Sequence, residues 1–169
     1  MPYQKHTPYL KEFLLTSTGK HIAGALMHFY NTRKNDYIEM GLHHIIAVFM
    51  CAGAYMLNIW ETAILIAFIH DIAEVITTLV KTLSETHFHN ASASMFIYLM
   101  ITWCYTRVFV FSQFVYYLGT KNDLDFRSPI IYPFMMFLLS SLLVLQIHWQ
   151  ILFFRLLWDF IKSGYNEDT

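Results

Sequence analysis

Four long stretches of this chain are dominated by apolar residues and a fifth, weaker one precedes them, and this block pattern constrains the fold more than any other feature. Crossing the hydrocarbon of a bilayer takes roughly 20 apolar residues, because an α-helix rises about 1.5 Å per residue and must satisfy its own backbone hydrogen bonds in lipid. A soluble helix instead carries a narrow apolar stripe with polar residues around it. Here the blocks are apolar nearly all round, 56% of the residues are hydrophobic and 14% are charged, against roughly 25% charged in an ordinary soluble domain. The expected class is all-α, a polytopic transmembrane bundle of about five helices forming a single membrane-embedded domain over residues 1–169.

The segments run over about 10–30, 39–58, 60–83, 93–118 and 130–160. The first carries Lys11, Lys20, His21 and His28, which argues for partial interfacial placement. The second and third are joined by only a residue or two near Ile59, so they form an antiparallel hairpin. The polar stretch SETHFHNAS precedes the fourth, and GTKNDLDFRSP precedes the fifth, with Pro129 near its first turn. Lysines and arginines divide about evenly between the two ends of the helices and leave the orientation open. The opening MPYQKHTPYLKEF has no apolar core of a signal peptide, so insertion is expected to rely on the helices themselves. A net charge of -1 offers no basic field for nucleic acid. Membrane lipids and other membrane helices are the expected partners. Cys51 and Cys104 lie in separate apolar blocks and read as inert thiols.

Ionisable groups inside spanning helices cost several kcal/mol each unless paired or hydrated, so each marks a candidate function. The second segment has His43 and His44; the third has His70, Asp71, Glu74, Thr78 and Lys81. His70 and Glu74 are spaced i, i+4 and Asp71 and Glu74 i, i+3, with Lys81 two turns on, so they share a face. Folding the hairpin about Ile59 sets His44 level with Glu74 and about one turn from Asp71. A carboxylate beside an imidazole fixes its tautomer and stabilises its cation, as a base or nucleophile requires, and the group suits acyl or proton transfer. Arg107, near the middle of the fourth segment, is expected to face protein and to pair with Glu74, Asp71 or a lipid or substrate phosphate.

RKNDYIEMGLHHIIAVFMCAGAYMLN followed by HDIAEVITTLVK resembles the core motif of the TLC-domain proteins, in particular the ceramide synthases. WCYTRVFVF resembles that family's aromatic, arginine-containing helix, and LLVLQIHWQILFFRLL its last helix, so the likeness covers roughly residues 20–160. The resemblance implies a partial TLC-type helical barrel and an N-acyltransferase of sphingolipid metabolism, joining a fatty acyl-CoA to a sphingoid base within the endoplasmic reticulum membrane. His43 takes the principal catalytic position, accepting the acyl group or activating the amine, with His44 in support. His70 and Asp71 match the second motif pair, and Asp71 orients or charge-balances the imidazoles. Glu74 stands where the family has a second aspartate, Thr78 where it has a glutamate, and Ser84 and Glu85 where it has asparagine and tyrosine. Arg107, Lys81, His148 and Trp149 are the candidate substrate or lipid contacts. Acyl-CoA would be a co-substrate; no resident cofactor or metal is implied.

Two other classes compete. Nine histidines bring to mind histidine-rich di-iron membrane oxygenases, but His6, His21, His28 and His148 are isolated, His43 and His44 are adjacent, and His87 and His89 read as solvated loop residues. The sequon Asn90–Ala91–Ser92 decides nothing. Ceramide synthases carry further helices ahead of this region. A chain without them would leave one side of the barrel open, which fits a non-catalytic accessory subunit of a large membrane complex, for instance in the mitochondrial inner membrane, whose partner subunits supply the missing wall.

Overall fold

In the computed structural model, residues 8–30, 36–57, 59–86, 89–120 and 130–163 are described, and every regular element among them is a helix. Helix α1 is Pro8–Tyr30, α2 Tyr37–Met56 and α3 Trp60–Ser84. Helix α4 is one continuous rod made of His89–Trp103, a π-helical stretch Cys104–Val110 and Phe111–Thr120, and α5 is Ile131–Ser163. Pro129 and His87 lie outside the described residues. Helix α4 starts ahead of the expected residue 93, and its early start takes the backbone of His89 and Asn90 out of the expected loop.

Four helical stretches, Tyr37–Met56, Trp60–Ser84, Ala91–Thr120 and Ile131–Lys162, are long and apolar enough to cross a membrane. Helix α1 is long enough, but Lys11, Glu12 and Lys20 keep it below the apolarity of the others. It lies along α2, the most extensive helix–helix contact in the chain, and also touches α3. The turn between α2 and α3 is closed by the Tyr55 and Trp60 rings, stacked at 5.4 Å, and by the Trp60 indole donating to the Tyr55 carbonyl at 3.3 Å. Several threonines within the helices are satisfied locally: Thr18, Thr77, Thr78 and Thr106 each donate to the carbonyl four residues back.

The exterior is apolar. On α3 the exposed face is Leu65, Phe68, Ile72, Val75 and Leu79, spaced at three or four residues, with Phe68 57% exposed. Such a face is stable against acyl chains and unstable against water. Inside, two apolar clusters form. One joins Ile46, Ile66, Phe111, Leu139 and Leu142, the other Ala73, Leu99, Trp103 and Trp149. Between them lies a polar layer of buried His43, His70, Arg107, Gln146 and Gln150. Along α3 this layer falls between Ile66 and Ala73, and along α4 between Trp103 and Phe111.

The π-helical stretch explains how α4 serves both clusters and the layer. At about 100° per residue, Trp103, Arg107 and Phe111 on a plain α-helix would spread over about 80°. The wider π-turn takes up that drift, and all three are buried on one face. Cys51 is buried and Cys104 exposed, and neither is bridged.

Phe111 has no exposed surface and meets the His70 ring edge-on at 5.1 Å. Replacing it with Ala empties the junction of α2 to α5 and is expected to destabilise the bundle by about 3 to 5 kcal/mol, with Phe111→Leu losing less. Reversible unfolding in mixed micelles measures this; an unchanged midpoint for Phe111→Ala would contradict the packing.

Candidate active site: a histidine-lined polar layer

His43 and His70 reach the layer from α2 and α3 and face one partly enclosed cavity of about 50 Å³. His21, Cys51, Asp71 and Leu142 also line it. That volume exceeds the roughly 30 Å³ share of a single water in the liquid. The Nδ1 of His70 is 2.8 Å from the Ile66 carbonyl oxygen. A carbonyl can only accept, so Nδ1 carries the hydrogen and the lone pair sits on Nε2, which is buried and has no partner among the described residues. His43 is 6% exposed, its Nδ1 likewise without a partner, and Trp149 packs edge-on against its ring at 5.5 Å.

Arg107 fixes this geometry from α4. It is 2% exposed, and its Nη2 donates to the His70 carbonyl at 2.6 Å. Its Nη1 donates to Gln146 Oε1 at 3.3 Å, and its guanidinium lies 4.2 Å over the Trp103 ring. Trp103 in turn donates to the Gln146 carbonyl at 3.2 Å. Arg107 faces protein as expected, but among the described residues its partners are a carbonyl, an amide and an aromatic face, with no carboxylate.

The carboxylates are engaged by α1 instead. Lys20 Nζ lies 2.7 Å from Asp71 Oδ1 and 2.6 Å from Glu74 Oε2, with side-chain exposures of 37 to 48%. The expectation that Arg107 would pair with Asp71 or Glu74, given beside a lipid or substrate phosphate, is corrected for these two carboxylates, which Lys20 holds. It left α1 out of account, whereas α1 packs on both α2 and α3 and presents an ammonium to the acidic pair. His44 turns toward α1 at Gly24, where an added Cβ would lie 2.6 Å from its ring. The other expected contacts divide. Trp149 borders the layer from the second apolar cluster and packs on His43, whereas Lys81 is exposed near the end of α3. His148 is also exposed and lies 3.7 Å from Glu39.

Reading the helices one by one misses Lys20, His21, Gln146 and Gln150. The signal for the glutamines was available, since two amides spaced i, i+4 on an otherwise apolar helix mark an inward face. Among the described residues no group of three His, Cys, Asp or Glu side chains is arranged to hold a metal ion.

The TLC-domain profile matches residues 1–155. The chain belongs to the TLC-domain family. It is similar to ceramide synthase 4 of Bos taurus, 25% identical over 167 residues that cover 98% of this chain and 42% of that protein. Ceramide synthase 4 of Mus musculus is 26% identical over 136 residues, 80% of this chain and 35% of the relative. Sphingosine N-acyltransferase lag1 of Schizosaccharomyces pombe is 23% identical over 159 residues, 86% and 41%. The TLC domain here thus spans less than half the length of these curated relatives. Thr78, at a position where the family motif has a glutamate, donates its hydroxyl to the Glu74 carbonyl at 2.9 Å and adds no charge to the acidic pair.

Lys20 and Glu74 are half-exposed, so their coupling is modest. A double-mutant cycle of Lys20→Met and Glu74→Gln, read by unfolding in micelles, is expected to give about 1 kcal/mol of interaction. Strictly additive effects would show that the contact does not hold α1 to α3.

Proposed function

We propose that this TLC domain carries an acyl-transfer site, joining a fatty acyl group from acyl-CoA to the amine of a sphingoid base inside the membrane. One observation carries the reading: two imidazoles from different helices face a single small cavity, and the tautomer of one is fixed. His43 accepts the acyl group or activates the amine, and His70 Nε2 offers a lone pair for a proton in the same cavity. Asp71 lines the cavity and balances positive charge there. Trp149 orients His43, and Arg107 positions His70 through its carbonyl. Lys81 and His148, both exposed, are the proposed contacts for the polar parts of the substrates, with His44 supporting His43. The names of the relatives favour this chemistry, and an endoplasmic reticulum location is part of the proposal.

A second reading, an accessory subunit of a membrane complex such as one in the mitochondrial inner membrane, is favoured by a different observation. Lys20 already supplies an ammonium to Asp71 and Glu74, the charge that a substrate amine would otherwise bring. In that reading the polar layer serves packing, and partner helices cover the apolar exterior.

The test is to incubate the purified protein in lipid with a sphingoid base and acyl-CoA and to follow the amide by mass. Wild-type turnover with loss of at least about 10²-fold in His43→Ala, the protein still folded, is the expected result. No turnover by the wild type, with or without its native partners, sinks the acyl-transfer reading. Normal behaviour of His43→Ala, together with loss of a larger assembly when α2 to α4 are disrupted, favours the subunit reading.

A further inference from the structure

Acyl transfer to an ammonium has a proton to dispose of. The carbon–nitrogen bond forms as the carbon–sulfur bond breaks. Of the two hydrogens that the ammonium nitrogen loses, one leaves with the thiol and one as a free proton. In a buried layer that proton needs a path, and the histidines of α1 and α2 lie along one that starts at His43.

His43 and His44 have ring centroids 5.6 Å apart. His21 is 6.0 Å from His43 and 6.1 Å from His44. His44 is 6.4 Å from His28, and His28 stacks at 4.2 Å on Tyr37, the first residue of α2. The series therefore leads from the cavity to the end of the α1–α2 pair. Each of these four imidazoles has a buried ring nitrogen without a hydrogen-bond partner among the described residues: Nδ1 of His21, His43 and His44, and Nε2 of His28. Buried polar atoms left in that state cost free energy; because these nitrogens have no accessible surface as they stand, a water joins two rings whose centroids lie near 6 Å apart only when the rings shift slightly to admit it.

The two helices are shaped for these rings. Gly24 on α1 seats His44 of α2, with an added Cβ 2.6 Å from its Cε1, and Gly41 on α2 seats His28 of α1, with an added Cβ 3.2 Å from its Nε2. Each helix is thinned where the other brings a histidine. The charged and titratable groups around the series are Lys20 on α1, His70, Asp71 and Glu74 on α3, and Arg107 on α4, with Tyr37 at the outer end.

We propose that His43, His21, His44 and His28 form a water-bridged imidazole string that carries the proton released in acyl transfer from the cavity to the membrane face at the start of α2. This rests on the acyl-transfer reading for the source of the proton, and on the ring geometry alone for the path.

Two measurements on the full chain in lipid nanodiscs test it. In turnover assays at low buffer concentration, His28→Ala is expected to slow amide formation on the order of tenfold without changing KM for acyl-CoA. Diffusible 4-methylimidazole should restore the rate, because a missing shuttle can be replaced from solution whereas a missing packing contact cannot. An unchanged rate, or a loss that 4-methylimidazole does not restore, overturns the proposal. Separately, magnetisation transfer from water to ¹⁵N-labelled histidines in bilayers should reach His21, His43, His44 and His28 in the wild type and weaken at His44 in Gly24→Ala. Rings that receive none are dry and overturn the string. A wild type with wet rings and no amide formation fails the acyl-transfer reading while supporting the path.

Discussion

A guanidinium buried among membrane helices is the constraint on which the rest of the bundle depends. Arg107 has five donors in a rigid fork and cannot shed its charge cheaply, so the neighbouring helices must supply acceptors where it sits. They do so with the His70 carbonyl from α3, the Gln146 side chain from α5 and the Trp103 face from α4 itself. Three helices are thereby set at one depth, and the backbone of His70, whose side chain lines the cavity, is held there. Two apolar clusters then close above and below, so the polar layer is shielded at both ends by ordinary packing.

The helical class, the hairpin and the family were legible because each rests on local information: the length of an apolar run, the shortness of a turn, or the adjacent pairs His43–His44 and His70–Asp71. The partners of the charged groups were not. Asp71 and Glu74 face a lysine 51 residues from Asp71 in sequence, on the weakest of the five helices, whose charges read as interfacial and not as partners for α3. Arg107 was legible as inward-facing, from the cost of its charge in lipid, but its acceptors are a backbone carbonyl and an amide, which charge-matching overlooks. The inward position of Trp149 and the outward position of its neighbour His148 follow from helix phase, which a motif quoted as a string does not convey.

The same comparison explains why the chemistry is less fixed by the family than the fold is. By the resemblance, the histidine pair and the following histidine–aspartate pair stand at the family's positions, with Glu74 and Thr78 where it has aspartate and glutamate; in the structure a lysine bridges Asp71 and Glu74. An imidazole cavity can be retained while its electrostatic surroundings are rewritten, because the imidazoles are placed by α2 and α3 and the ammonium by α1.

That division has a consequence for how the chain enters a membrane. Helix α1 is made before α2 and α3, yet it is less apolar than they are and less able to leave water unaided, and the groups that compensate Lys20 belong to α3. Its final seat therefore exists only once the α2–α3 hairpin is in the bilayer. The order of translation and the order of burial differ, and biogenesis of this bundle requires α1 to wait at the interface for a docking surface synthesised after it.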